Sequence, residues 1–181
     1  MSKSIGAIDF KSIAKGIAVA DEMVKKADVD VLYLKTICPG RFLVILTGDE
    51  DAIKTTLDHG ITSGQGHIID SCIINSVHNN IIQALKSRFV TKASGAIGVM
   101  ETNSVSSGLK ALDIALKGAN LNLVKLQVAS GISGKLVYII SGGLSDVEHG
   151  MNIAKEAIEG KRIVHASVIP SPDELIIKYL T

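Results

Sequence analysis

The sequence contains the same unit twice. When residues 5–36 are placed over residues 97–128, an offset of 92, eight of the 32 positions are identical. These identical pairs are Ile5/Ile97, Gly6/Gly98, Ser12/Ser104, Gly16/Gly108, Asp21/Asp113, Lys25/Lys117, Ala27/Ala119 and Leu34/Leu126. Beyond the next loop the offset is 94, since Gly40–Leu43 lies over Gly134–Val137. The repeat therefore predicts two tandem domains, residues 1–90 and 91–181, which meet in the polar stretch Ser87–Ser94.

Each copy has the residue pattern of an α/β unit. Ser4–Phe10 alternates like a strand, and the apolar residues of Ile13–Ala27 recur at helical spacing, as do those of Val105–Ala119. Val29–Thr36 and Arg41–Thr47 are β-rich and flank a predicted hairpin turn. The remaining predicted elements are a helix capped by Asp51 (Ser145 in copy two, in a capping box Ser145–Glu148), a strand Ile68–Ile74 (Ile163–Ile169) and a last helix His78–Lys86 (Pro172–Tyr179). This order predicts two ferredoxin-like α+β domains, each an antiparallel sheet with helices.

Composition excludes several function classes. The formal net charge is +1, so no electrostatic footprint for nucleic acid is present. The longest apolar runs, Phe42–Leu46 and Leu136–Ile140, are far shorter than a membrane span, and the N-terminus lacks a signal-peptide core. With two cysteines a disulfide framework is excluded and a cytosolic setting is expected. The chain is 46% hydrophobic, and we expect the excess apolar surface to be buried between subunits.

The side chains give no pattern typical of an enzyme. No Ser/His/Asp or Cys/His arrangement is recognisable, and the glycine-rich pieces Ser63–Gly66 and Ser141–Gly143 match no phosphate-binding loop. The five histidines lack metal-ligand spacing and are expected at the surface or as caps. Acidic residues are predicted to cap helices rather than to form facing pairs. Cys72 lies in a strand pattern and is expected to be buried as a small apolar residue.

Three segments carry a family resemblance. Ser4–Asp9, Met23–Val29 and the glycine-containing hairpin before Phe42–Asp49 resemble the bacterial microcompartment shell domain. Two copies per chain are similar to the tandem-domain, trimer-forming class of that family. Thr36–Leu43 more closely resembles the iron–sulfur-binding tandem shell proteins of propanediol-utilisation microcompartments.

The resemblance implies an assembly and a cofactor. Three chains would form a flat pseudo-hexagonal trimer in which copies one and two alternate around a central pore. The pore loops implied are Ile37, Cys38, Pro39 and Gly40 from copy one, and Ser130, Gly131, Ile132, Ser133 and Gly134 from copy two. Cys38 would bind a [4Fe–4S] cluster shared by three chains, with Ile37 and Ile132 partly shielding it. The implied role is electron transfer or cluster exchange across the shell.

The residues themselves support one part of this interpretation. Iron–sulfur clusters normally take four thiolates, and one chain offers only Cys38 and Cys72, so a cluster held by one chain alone is not expected. A three-fold axis would turn one cysteine into three. Pro39 restricts the loop and Gly40 permits a tight turn. The alternative is that Cys38 is an ordinary thiol in a turn.

Partners and location also follow from the resemblance. Lys25 and Lys117 occupy the position of the family's edge lysine, which implies contact with other shell proteins edge to edge. An encapsulated or cytosolic redox protein is a further implied partner, and the implied location is a microcompartment shell in the cytoplasm. The segment Pro170–Asp173 lacks the edge arginine common in relatives. Two alternatives stay open: a metabolite-conducting tile without a cluster, and a cytosolic tandem ferredoxin-like regulator that binds a small molecule.

Overall fold

The computed structural model describes residues 3–87, 91–129 and 131–180. Copy one forms β1 Ser4–Phe10, α1 Ile13–Val24, β2 Asp30–Ile37, β3 Arg41–Gly48, α2 Glu50–Ser63, β4 Ile68–Ile74 and α3 Asn79–Leu85. Copy two forms β5 Ala96–Thr102, α4 Val105–Gly118, β6 Leu121–Val128, β7 Leu136–Gly142, α5 Leu144–Glu156, a short 3-10 helix Gly160–Arg162, β8 Ile163–Ile169 and α6 Glu174–Leu180. The predicted order of elements is confirmed in both copies. In the described ranges, no helix combines the length and apolar character needed to cross a membrane.

Each copy builds a four-stranded antiparallel sheet. The strand orders are β2-β3-β1-β4 and β6-β7-β5-β8, which is the ferredoxin-like arrangement predicted from the repeat. The registers also repeat, because Ile5 lies opposite Thr47 and Ile97 lies opposite Ser141. Equivalent strands are therefore adjacent in the two sheets, and equivalent residues occupy equivalent positions in the strand register.

The chain folds into two compact units whose boundaries differ from those of the two sequence copies. The first compact unit runs to Val77 and also takes in Ser104–Ser107 and Ala129–Gly134. The second unit holds His78–Asn103, Gly108–Val128 and the chain from Lys135 onward. Helix α3 thus belongs by sequence to copy one but by packing to the second unit, where it contacts β6. Of the predicted boundary stretch, residues 88–90 lie outside the described residues.

The core of the first unit lies between its sheet and the helices α1 and α2. Residues of alternate positions on the central strands meet one face of each amphipathic helix. This cluster contains Ile8, Phe10, Val19, Ala20, Met23, Phe42, Val44, Leu46, Ile53 and Leu57. Each such large side chain stabilises the fold by about 1.5–3 kcal/mol on burial. The hydrophobic spacing that predicted the helices is therefore the spacing that fills this core.

Two predicted helix caps were wrong. Helix α2 begins at Glu50 with Asp49 as its N-cap, and α5 begins at Leu144 with Gly143 as its N-cap. The Asp49 side chain makes no capping hydrogen bond, and Gly143 has no side chain to make one. Asp51 and Ser145 are already helical, because each preceding strand runs into its helix almost without a loop. Ser145 therefore cannot start a capping box, whereas Asp51 in the first turn still interacts favourably with the helix dipole.

A glycine in each copy allows a helix to approach its sheet closely. A Cβ atom added at Gly16 in α1 would lie 2.8 Å from Cβ of Phe42 on β3. At the equivalent Gly108 in α4, an added Cβ would lie 2.9 Å from Cβ of Leu136 on β7. The repeat preserves both glycines because both helices cross their sheets at the same short distance.

We expect Gly16→Ala to lower the free energy of unfolding by about 1–2 kcal/mol. Overpacking against the rigid base of Phe42 costs about 1–3 kcal/mol, which exceeds the roughly 1 kcal/mol that alanine gains in helix propensity. Chemical denaturation monitored by circular dichroism measures the change. Gly160→Ala is the control, since no atom lies within 4 Å of its added Cβ. Equal stability of the two variants would contradict the close approach of α1 to β3.

Candidate functional site

The β2–β3 hairpin presents the first cysteine. Strand β2 ends at Ile37, which pairs with Arg41, and the three residues between them form the turn. Cys38 is exposed at this turn, the Cys38–Pro39 peptide is cis, and Gly40 has a φ of 81°. The predicted hairpin is confirmed. Ile37, however, is only 4% exposed, so its side chain packs inside the unit and not on the surface of the loop.

The matching loop of copy two lies beside this hairpin in the first compact unit. Three of its residues have positive φ: Gly131 (74°), Ser133 (55°) and Gly134 (74°). A Cβ atom added at Gly134 would lie 2.7 Å from the carbonyl oxygen of Cys38. The two loops therefore touch through backbone, and only glycine fits at this contact. Ile132 is half-buried, and Ser130 lies outside the described residues.

The thiols differ sharply in accessibility. Cys38 is exposed, and Cys72 is buried in β4 opposite Ala7, as predicted for a small apolar residue. Among the described residues, no group of three His, Cys, Asp or Glu side chains is placed to hold a metal ion. A thiolate is the donor that iron–sulfur clusters require. The Cys38 thiol is therefore a suitable type of ligand for such a cluster. The required number of thiolates is reached only when several chains each supply one.

Lys25 and Lys117 make the same contact in both copies. Lys25 Nζ lies 2.6 Å from Asp21 Oδ2 on α1, and Lys117 Nζ lies 2.5 Å from Asp113 Oδ2 on α4. The Asp21 side chain is 61% exposed, whereas that of Asp113 is 5% exposed. Asp113 Oδ1 also accepts a hydrogen bond of 2.8 Å from the backbone N–H of His78. The repeated pairs hold both lysines at equivalent helix positions, in different surroundings.

A pair of facing carboxylates was missed by the sequence analysis. Asp9 on β1 lies directly opposite Asp70 on β4, so the prediction that acidic residues cap helices rather than form facing pairs was wrong for these two. Both side chains cap a helix from the other sequence copy. Asp9 accepts hydrogen bonds from the backbone N–H of Val105 (2.9 Å) and of Ser106 (3.2 Å), and from Ser106 Oγ (2.5 Å).

Asp70 caps the same end of α4. It accepts hydrogen bonds from Ser107 Oγ (2.5 Å), from the backbone N–H of Ser107 (3.2 Å) and from Ser104 Oγ. Together the two carboxylates satisfy several N–H groups of the first turn of α4, which have no partner within the helix. These residues all lie in the first compact unit. The capping of α4 by Asp9 and Asp70 is therefore a contact within that unit.

Burial governs the ionisation of this site. Asp9 is fully buried, and burial raises its pKa from 3.8 to about 6. The hydrogen bonds from Ser106 and Val105 act in the opposite direction, and the charge of Asp70 adds a smaller increase. The serine-rich helix start 104–107 was the only signal for this site in the sequence, because the strands that carry the two aspartates are far apart in the chain.

Histidines behave as expected where the structure describes their contacts. His78 is the N-cap of α3, and its side chain accepts a hydrogen bond from the backbone N–H of Asn80. His59 Nε2 lies 2.9 Å from Glu22 Oε2 at the surface. A hydrogen bond from Ser63, and then the one from His59, hold the pKa of Glu22 below its usual range. These contacts are structural and bring no further metal-binding group to Cys38.

Comparisons with known proteins agree with this fold and extend over both copies. The BMC domain matches residues 4–77 and again residues 96–172. The chain is 37% identical to the bacterial microcompartment shell protein PduT of Citrobacter freundii, over 96% of this chain and 95% of the relative. It is 28% identical to the carboxysome assembly protein CcmO of Synechococcus elongatus, over 96% of this chain and 67% of the relative. A crystal structure of a microcompartment protein from Desulfitobacterium hafniense superposes with a TM-score of 0.86 at 32% identity, covering 98% of this chain and 99% of that one.

Proposed function

This chain belongs to the BMC domain family and is a structural shell protein of a bacterial microcompartment, and from that premise we propose that three copies form a pseudo-hexagonal tile whose central loops hold a [4Fe–4S] cluster through Cys38. Two BMC domains per chain supply six domains to such a tile. The relatives are shell and carboxysome proteins rather than enzymes, so the chain's role is structural and any redox chemistry belongs to the cofactor.

One observation carries the cofactor proposal. The hairpin of copy one places an exposed thiol at its turn, and the matching loop of copy two has no thiol at all. A duplicated chain can give its two loops different tasks, which a ring of six identical domains cannot. Three loops per tile then present Cys38, and the three loops of copy two pack against their backbone, as Gly134 does against the Cys38 carbonyl.

The proposed cluster would have protein ligands from three chains and one further ligand. Three Cys38 thiolates would be the protein ligands of the cluster, which supplies one-electron transfer when bound. A non-protein ligand or a partner's side chain would complete the set of four. Arg41 lies close to Gly134 and adds positive charge beside the loops. The tile would thus close the shell and pass electrons, or replacement cluster material, between its two sides.

Neighbouring tiles and a redox protein are the proposed partners. Lys25 and Lys117 stand at equivalent positions near the C-terminal ends of α1 and α4, each held by an aspartate one turn earlier. Such restrained, charged helix ends are suited to edge-to-edge contact with other shell proteins. The exposed Cys38 loop leaves the proposed cluster within reach of a redox protein on one side of the shell.

The test is the iron content of the wild-type protein purified and reconstituted without oxygen. We expect a brown trimer with about four iron atoms and the broad visible absorption of a [4Fe–4S] cluster. Mass measured by light scattering on the same sample gives the number of chains per cluster. A trimer that remains free of iron under these conditions would overturn the cofactor proposal and leave a tile that conducts small metabolites.

A further inference from the structure

Three polar side chains meet where helices α1 and α2 of copy one pack against each other. His59 and Ser63 lie four residues apart on α2 and share one face of that helix, and Glu22 reaches them from α1. Glu22 Oε2 is 2.9 Å from His59 Nε2 and 2.8 Å from Ser63 Oγ, and Ser63 Oγ is 3.4 Å from His59 Nε2. The three atoms therefore form a small triangle that joins the two helices within the first compact unit.

The backbone beneath this triangle is fixed by the core. Met23, which follows Glu22, is fully buried, and Gly60, which follows His59, is buried as well. A Cβ atom added at Gly60 would lie 2.5 Å from Met23 Sδ, so the two helices approach each other closely beside the triangle. Side chains carried by rigid helices hold a binding geometry more precisely than side chains on loops.

The equivalent positions of copy two are apolar. Ile114 corresponds to Glu22, Ile153 to His59 and Ala157 to Ser63, and all three residues of copy two are half-buried. The same pair of helices therefore folds with apolar side chains at this place. The polar triangle is specific to copy one, and the packing of the helices does not require it.

We propose that Glu22, His59 and Ser63 form a binding site for a divalent transition-metal ion of the kind that takes imidazole ligands, such as Ni²⁺ or Zn²⁺. Bonds of about 2.0–2.2 Å from an ion to nitrogen and oxygen, at angles of about 90–110°, place neighbouring donor atoms about 2.8–3.5 Å apart. The three separations within the triangle fit this range. An imidazole nitrogen and a carboxylate oxygen are established ligands of such ions, and the hydroxyl is a weaker third donor. The site needs neither the trimer nor the cluster proposed at Cys38.

Binding of the ion requires only small changes at these side chains. His59 coordinates through Nε2 when its ring proton lies on Nδ1, and the Ser63 hydroxyl offers a lone pair when its hydrogen turns away from Glu22. The Glu22 carboxylate is already charged, because hydrogen bonds from Ser63 and from His59 hold its pKa below the usual range. The side chains therefore stand close to the arrangement that an ion would need.

Open space beside the triangle is available for the remaining ligands of the ion. A surface cavity of about 380 Å³ is lined by Glu22, His59, Lys25 and Lys26. Lys25 Nζ lies 2.6 Å from Asp21 Oδ2, which offsets part of its charge. The lysines oppose a bare cation and favour an anion beside water among the remaining ligands. We therefore expect an affinity below that of a closed site with four protein ligands.

The test is a calorimetric titration of Ni²⁺ into the untagged full-length chain that carries Cys38→Ser, because this change removes the exposed thiol as a competing ligand. His59→Ala, Glu22→Gln and Ser63→Ala are each made in this background. His149→Ala is the matched control, because this histidine is also exposed on a helix, namely α5 of copy two. Circular dichroism of each variant reports the fold.

We expect one Ni²⁺ ion per chain and a loss of affinity of at least about tenfold in His59→Ala and in Glu22→Gln, since even a residue that only supports a metal ligand contributes about 10–100-fold. Ser63→Ala should lose less affinity than either, and His149→Ala should bind as the background protein does. A background protein that binds no Ni²⁺ would overturn the site. Unchanged affinity in folded His59→Ala and Glu22→Gln variants, or an equal loss in His149→Ala, would overturn it as well.

Discussion

Replacing Cys38 with serine is expected to give a trimer that binds no iron after anaerobic reconstitution. The loss is complete rather than partial because the proposed three-fold arrangement removes all three protein thiolates in one substitution. A serine hydroxyl is a poor iron–sulfur ligand, since it is not ionised at neutral pH and is a hard oxygen donor. Cys38 is exposed at a turn, so the fold and the oligomeric state should not change.

Cys72→Ser is the matched control for this variant. Copy two carries Ser167 at the equivalent position of its strand, so the fold accepts serine there. Cys72 is buried in β4 and takes no part in the proposed site, and its variant should reconstitute with the same iron content as wild type. Iron retained by Cys38→Ser and lost by Cys72→Ser would contradict the assignment of the ligand.

The strands and their order could be predicted because each strand has a residue pattern that is local in the sequence and occurs in both copies. Strands β4 and β8 were placed at Ile68–Ile74 and Ile163–Ile169 from apolar patterning, and the structure has those bounds. The turn at Cys38 followed from proline and glycine between two β-rich runs. For the strands, a second copy with the same pattern tested the first, which a single domain does not offer.

The carboxylate site and the helix starts could not be found in this way. Asp9 and Asp70 become neighbours only when β1 pairs with β4, and their partners come from the other sequence copy. The start of α2 depends on how directly β3 runs into the helix, which polar residues near the junction do not reveal. Nor does the pattern of α3 state which sheet it covers, although its apolar face predicts that it covers one.

The two copies differ at most aligned positions, and core positions are among them, since Phe10 corresponds to Thr102. The core glycines Gly16 and Gly108 stay identical, because both copies need the same helix-to-sheet distance. The loops differ at Cys38, and the facing pair Asp9 and Asp70 corresponds to Glu101 and His165. Identity between the copies therefore marks a close approach of helix to sheet rather than the whole core.

The fully buried Asp9 is expected to make stability fall as the pH rises through its pKa. Its folded-state pKa is about 6 and the ordinary pKa of an aspartate is 3.8, so the folded protein holds this proton more tightly than the unfolded chain. The associated stability is fully present below the unfolded pKa and is lost as the pH rises through about 6. A shift of about two pK units corresponds to about 3 kcal/mol. Asp9→Asn, which cannot titrate, should therefore gain about 3 kcal/mol relative to wild type between pH 3.5 and about 7.

Urea unfolding across this pH range, at one protein concentration, measures the difference between Asp9→Asn and wild type. The amide offers one acceptor oxygen where the carboxylate offers two to Val105 and Ser106, so the variant starts from a lower stability. That loss shifts the free energy of unfolding by the same amount at every pH. The prediction is tested by the rise with pH of the difference between the variant and wild type. Asp51→Asn, which removes an exposed carboxylate from α2, is the control for loss of an acidic group. A difference between Asp9→Asn and wild type that does not vary with pH would mean that the helix start of α4 neutralises the burial of Asp9, whose carboxylate would then ionise as readily in the folded as in the unfolded chain.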